Sequence, residues 1–114
     1  MKGIALLFSA VFFAGVLAAD FCFGQLLKRG YAVASEEWKR EGRPTWWTWR
    51  PTEMVAPAWY YNAPRWRWIW SGPPWARTDR TSRSLHRLHR LLLMLTIAAW
   101  VGLLVVLAIA SHAR

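Results

Sequence analysis

The sequence predicts an all-α membrane protein with two transmembrane helices, joined by a largely irregular extramembrane loop rich in tryptophan, proline and arginine. Two observations predict this fold class. Apolar residues make up 55% of the 114 residues and are concentrated at the two ends, whereas the middle contains all six prolines and most of the charge. A soluble domain of this length would distribute its apolar residues along amphipathic elements that build one core.

Residues 1–27 are predicted to form the first transmembrane helix. The apolar part of this segment contains one ionisable residue, Asp20, and as a helix it would be ~37 Å long, enough to cross a ~30 Å hydrocarbon core. The segment also has the pattern of a secretory signal, with a candidate cleavage site at Val16-Leu17-Ala18 or at Leu17-Ala18-Ala19. Because the apolar stretch resumes after Asp20, we expect a retained anchor.

Residues 79–112 are predicted to form a basic amphipathic helix that continues into the second transmembrane helix. Residues 91–111 are apolar apart from Thr96, Trp100 and the terminal Ser111, and their number matches one membrane crossing. Asp79, or Thr78 before it, is the expected N-cap of this helix.

A stripe of small residues predicts where the two transmembrane helices pack. Ala10, Ala14 and Ala18 are spaced four apart on the first segment, with Gly15 and Ala19 beside them. Ala98 and Gly102 form a similar pair on the second segment. Small residues allow helix backbones to approach closely in lipid. The same stripe is also compatible with contact to a partner protein.

The region between the apolar ends divides into two parts. Residues 28–43 are predicted to be a short polar helix and linker, or an extension of the first membrane helix, with Ser35 as N-cap and Gly42 as terminator. Residues 44–78 are predicted to be an extended loop, because proline at this density excludes a long helix and a central strand. In an extended chain, the indoles of the Trp-Arg-Trp-Ile-Trp run at 66–70 would share one face.

The loop is expected to need a cover from outside the chain, because it has few aliphatic residues with which to bury its rings. Indoles favour the headgroup layer of a membrane, and they are also enriched where proteins bind each other. We therefore expect lipid or partner contact at ten aromatic residues: Trp46, Trp47, Trp49, Trp59, Tyr60, Tyr61, Trp66, Trp68, Trp70 and Trp75.

The charge distribution predicts the topology. Residues 28–90 contain thirteen basic and five acidic residues, a local net charge of +8. Because basic loops are retained on the cytoplasmic side, the loop is predicted to be cytoplasmic and both termini to lie on the opposite side. Four arginines form one helical stripe that is expected to contact anionic headgroups: Arg80, Arg83, Arg87 and Arg90. Because topology and lipid contact account for the excess of basic residues, we do not expect nucleic acid as a partner.

The chain shows no pattern typical of an active site. Asp20 is an intramembrane carboxylate, a kind of residue that is often functional, but no second group for a proton relay is evident in the sequence. His86 and His89 have a metal-compatible spacing, yet the nearby arginines would repel a cation. Neither apolar segment contains a histidine that could hold a haem or chlorin within the membrane. We expect no catalytic residues, cofactor, metal or small-molecule substrate.

These expectations together favour a non-catalytic accessory or structural subunit of a larger complex in a bacterial inner membrane, with respiratory and photosynthetic complexes as natural hosts. Its partners would be other membrane protein subunits, docked through the Trp-rich loop, and phospholipids. Two alternatives remain from the sequence. One is a stand-alone protein that binds anionic lipid at the membrane surface, and the other is a pore or transport component that uses Asp20.

Overall fold

A computed structural model describes residues 2–53 and 62–113. The described part of the chain is helical, which confirms the all-α prediction. It contains no β-strand, and its only strand-like pairing is an isolated antiparallel bridge between Trp46 and Trp49. The elements, in chain order, are α1 (Lys2–Val33), α2 (Ser35–Arg40), α3 (Arg65–Ser71), a 3-10 helix (Pro74–Arg77) and α4 (Arg80–His112).

Two of these helices, α1 and α4, are long and apolar enough to cross a membrane. They pack antiparallel, since Gly15 lies against Thr96 near the middle of α1 while Arg29, near its C-terminal end, binds Asp79 at the start of α4. α1 continues past residue 27 to Val33, because no proline or cap stops it there.

The seam between α1 and α4 differs from the predicted stripe. Ala10, Ala14, Ala18 and Ala98 are exposed, so the alanines of the expected stripe do not face the other helix. Gly102 does, because a Cβ there would lie 2.7 Å from the Phe8 ring on α1. The close approach is made one position further along α1, where a Cβ on Gly15 would lie 2.3 Å from Oγ1 of Thr96. A shift of one residue turns a helix by about 100°, so the small residues that face α4 are the neighbours of the ones that the spacing favoured.

α2 follows α1 after a single residue. Ala34, and not Ser35, is the N-cap, and no side chain caps the helix; the Ser35 prediction was therefore wrong. Ala34 is already bound into both helices, because its N–H donates to Gly30 O (2.9 Å) and its carbonyl accepts from Trp38 N (2.9 Å). Gly42 follows the end of α2 with a φ of +91°, a conformation that glycine adopts without steric cost.

The segment after residue 62 is not extended. Residues 65–71 form α3, and a 3-10 helix follows, which corrects both the extended loop and the strand-like face of three indoles. The prolines lie at element boundaries, where they are tolerated: Pro64 is the N-cap of α3, and Pro74 begins the 3-10 helix. α3 ends at Gly72, whose φ is +70°.

The chain buries a large part of its own aromatic surface. The core cluster combines three α1 residues with one tryptophan from each of α2, α3 and the 3-10 helix: Phe23, Leu26, Leu27, Trp38, Trp68 and Trp75. The expectation that the Trp-rich region cannot cover its rings within the chain was therefore wrong for Trp68 and Trp75. The aliphatic surface that this region lacks is supplied by the C-terminal half of α1. We call the structure formed by residues 20–53 and 62–90 the head.

Candidate functional site

The head is built around Asp20, on the buried side of α1. Arg65, at the start of α3, donates from Nη1 to Asp20 Oδ1 and forms an ion pair in which both side chains are largely buried. Trp46 Nε1 donates to the same oxygen (3.3 Å), and Thr48 Oγ1 donates to the Asp20 carbonyl (2.8 Å). The carboxylate is thus bound by the Trp-rich segment of its own chain.

Arg65 also connects α3 to α4. Its Nε donates to Nε2 of His89 over 3.0 Å, and its guanidinium lies over the rings of Phe23 (5.5 Å) and Trp46 (5.2 Å), which also contact each other. His89 is fully buried and stacks on Phe23 with ring centroids 4.9 Å apart. Because arginine can only donate, His89 accepts at Nε2, and the ring hydrogen of the neutral imidazole is on Nδ1.

The sequence identified Asp20 but not the residues that surround it. The expectation that Asp20 has no second group to which it could pass a proton stays a prediction, because Arg65 is permanently protonated and only donates. The structure adds Arg65 as a direct partner of Asp20, and His89 as a partner of Arg65. Arg65 is 45 residues from Asp20 and His89 is 69. No local spacing connects residues so far apart, so no signal in the sequence could have found the cluster.

A second ion pair joins α1 to the start of α4, at the end of the head that is farther from the termini. Arg29 on α1 donates from Nε and Nη2 to the two carboxylate oxygens of Asp79 over 2.9 and 3.1 Å. Asp79 caps α4 by accepting from the backbone N–H (3.0 Å) and hydroxyl (2.6 Å) of Ser82. The bonds from Arg29 and Ser82 hold the pKa of Asp79 well below its ordinary value. Asp79 therefore stays ionised as pH falls through the usual carboxylate range.

The arginine stripe of α4 is divided between two roles. Arg83 donates to the carbonyls of Ala76 and Arg77, and Arg90 donates to those of Ile69 and Trp70 over 2.8–2.9 Å. These two side chains are thus used in part within the chain, which the predicted headgroup role did not foresee. Arg80 and Arg87 are exposed.

His86 resembles Arg90 in binding the end of α3. Its Nε2 lies 2.6 Å from Trp68 O and 3.2 Å from Ile69 O. Because a carbonyl only accepts, the hydrogen of this ring is on Nε2. The Trp68 carbonyl already accepts from Gly72 N–H (2.9 Å), so His86 adds a second bond there. His86 and Arg90 together bind the Ile69 carbonyl, one of those that a helix end leaves without an intrahelical donor.

The ten predicted contact aromatics separate by burial. Trp68 and Trp75 are buried, and Trp75 donates from Nε1 to Leu26 O (3.2 Å), so the contact role predicted for these two was wrong. Trp46 and Trp49 are half-buried. Three are exposed: Trp47 (44%), Trp66 (72%) and Trp70 (74%). The remaining three, Trp59, Tyr60 and Tyr61, lie outside the described residues.

The chain matches no known family model, no curated protein and no solved structure. Its function has to be argued from its own geometry. Within residues 2–53 and 62–113, no group of three or more His, Cys, Asp or Glu side chains is placed to hold a metal ion. An open cleft of about 520 Å³ lies beside α2, and Tyr31, Lys39, Arg43 and Glu53 are among the residues that line it.

Proposed function

We propose that this chain is a non-catalytic accessory subunit of a larger protein complex in a bacterial inner membrane. α1 and α4 would each cross the bilayer, with the head on the cytoplasmic side and both termini on the other. The basic excess of the head supports this orientation. In this arrangement the partner is another membrane protein, and the contact is made within the bilayer.

The observation on which the proposal rests is the position of Trp100 on α4. The apolar residues 91–111 would be ~30 Å long as a helix, so Trp100 lies halfway along them. It is 49% exposed, and no acceptor among the described residues binds its indole N–H. Tryptophan is normally enriched at the membrane interfaces, where this N–H finds a polar partner.

A neighbouring transmembrane helix would satisfy Trp100 better than lipid does. Lipid tails offer no hydrogen-bond acceptor, whereas a helix offers both a packing surface and polar side chains such as serine or threonine. Ile97 and Leu104 are exposed beside Trp100 at helical spacing. These three residues form the partner-facing stripe that we propose.

The Trp-rich segment has a different role in this proposal from the one that the sequence favoured. Because Trp68 and Trp75 are covered by α1, the segment is better suited to holding α1 and α4 together than to lying across a neighbour. Asp20 gives no support to a pore, because its carboxylate is bound by Arg65. The rigid head would fix the angle at which α4 meets its partner.

The proposal is tested by photocrosslinking the tagged full-length protein in its native membrane. A benzoylphenylalanine replaces Trp100 in one strain and Val105 in another; Val105 is equally exposed but lies on a different side of α4. We expect one protein that copurifies stoichiometrically to crosslink at position 100 and not at 105. Trp100→Leu should release that protein, while the variant still inserts and folds. Purification without any stoichiometric companion would contradict the proposal.

A further inference from the structure

The described contacts define the depth of each part of the head, if α1 and α4 cross the membrane as proposed above. The apolar run of α4 begins at Leu91, directly after His89 and Arg90. On α1, Asp20 is at the same level, because Arg65 bridges it to His89. The cytoplasmic edge of the hydrocarbon core therefore lies close to the Asp20–Arg65–His89 cluster.

Three exposed indoles lie at this level. Trp66 follows Arg65 in the chain, and the carbonyl of Trp70 accepts from Arg90 Nη2 over 2.8 Å. Trp47 lies between Trp46 and Thr48, which bind the carboxylate and the carbonyl of Asp20. The three indoles thus belong to two separate segments, one bonded to α1 at Asp20 and one bonded to α4 at Arg90. Both segments are held at the level of the Asp20–Arg65–His89 cluster.

Two arginines at this level are bound within the chain, whereas the three indoles are exposed; Arg67 on α3 is also exposed, in a long pair with Glu41 (3.4 Å). Arg65 is bound to Asp20 and His89, and Arg90 to the last carbonyls of α3. α3 has a buried side, where Trp68 is 2% exposed, and an outer side occupied by Trp66 and Trp70, one turn apart. Exposure of two indoles to water is unfavourable, because most of each ring is apolar. The headgroup layer suits an indole better, since it accommodates both the apolar ring and the polar N–H donor.

We infer that Trp47, Trp66 and Trp70 form an aromatic belt that binds the phospholipid headgroup layer at the cytoplasmic surface. The belt fixes the depth of the head and the tilt of the two helices. Arg87 is exposed one turn before the apolar run of α4, so it adds attraction to anionic phosphate. This inference rests on the membrane crossing in the proposed function but not on the accessory role.

The test uses purified full-length protein reconstituted in phosphatidylcholine and phosphatidylglycerol vesicles. The lipid chains are brominated either near the headgroup or near the chain end, and tryptophan fluorescence is recorded. The matched variant is Trp66→Phe/Trp70→Phe. We expect it to lose a clear part of the quenching by the shallow bromines, with Trp47 keeping the rest. The quenching by deep bromines, which report Trp100, should be unchanged. Both leaflets contain the quencher, so the orientation of the protein does not affect the result.

Two outcomes would overturn the inference. Shallow quenching that is unchanged in the double variant, with wild-type emission quenched by aqueous iodide, would place the rings in water. Quenching by neither agent would place them against a second copy of the chain. If circular dichroism shows that the double variant is unfolded, Trp66→Tyr/Trp70→Tyr and the single Trp47→Phe are measured instead. The vesicles contain no partner protein. The fluorescence result therefore does not depend on whether position 100 crosslinks to a partner in the native membrane.

Discussion

A Cβ atom on Gly30 would lie 2.3–2.7 Å from three carbons of the Trp75 indole. Trp75 is fully buried, and its Nε1 donates to Leu26 O. Because Gly30 has no side chain, the Trp75 indole of the 3-10 helix can pack directly against α1. The ring cannot move aside without breaking its hydrogen bond and separating the core cluster.

We predict that Gly30→Ala lowers the free energy of unfolding by about 1–3 kcal/mol, the range for overpacking a well-filled core. The measurement is a reversible denaturant titration in detergent micelles, followed by tryptophan fluorescence. Gly3→Ala is the control, because a Cβ on Gly3 meets nothing within 4 Å and alanine favours a helix. If Gly30→Ala and Gly3→Ala had the same free energy of unfolding, Trp75 would not pack on Gly30.

At the scale of the elements, α3 is attached to both long helices through Arg65. The guanidinium reaches Asp20 on α1 and His89 on α4, and its surroundings are largely protein. Removing the arginine alone would leave the Asp20 carboxylate buried without a cation. An uncompensated buried charge of this kind is strongly destabilising.

We predict that Arg65→Met destabilises the head by about 3–5 kcal/mol, the usual cost of breaking a buried pair on one side. Asp20→Asn/Arg65→Met should recover part of that loss, because no charge is then left buried. The control is Arg67→Met, since Arg67 is exposed and its pair with Glu41 is long (3.4 Å); its cost should be below about 1 kcal/mol. Additive single effects in the double variant would contradict a direct Asp20–Arg65 interaction.

The elements themselves were predictable to different degrees. The apolar runs predicted α1 and α4 because their length and composition leave little alternative. α3 was missed because its tryptophans fit two periods: Trp66, Trp68 and Trp70 alternate as in a strand, while Trp66 and Trp70 alone are one helical turn apart. The extended interpretation won because of the flanking prolines, which in fact mark the start of α3 and of the 3-10 helix.

The packing of the elements could not be predicted from the sequence, for a different reason. The Gly30–Trp75 and Asp20–Arg65 contacts join residues 45 positions apart, and neither leaves a local pattern. Glycine in an apolar helix and arginine in a basic loop both have ordinary explanations that do not involve each other. The contacts of the head therefore depend on how α1 and α4 pack, and local sequence patterns do not predict them.

At the scale of the whole molecule, the antiparallel pairing of α1 and α4 places the head at one end and both termini at the other. If both helices cross the bilayer, the basic head and the two termini must face opposite compartments. The positive-inside bias then assigns the head to the cytoplasm. This assignment can be tested without knowing any partner.

We predict that an impermeant maleimide labels Lys39→Cys in inverted inner-membrane vesicles and His112→Cys in right-side-out vesicles. Both variants are made in a Cys22→Ala background, because Cys22 is the only native cysteine and is buried, with its Sγ donating to Leu85 O. Lys39 and His112 are both exposed, so access depends on the compartment and not on burial. Labelling of both in the same vesicles would mean that α4 does not cross the membrane, and a full reversal would place the head outside.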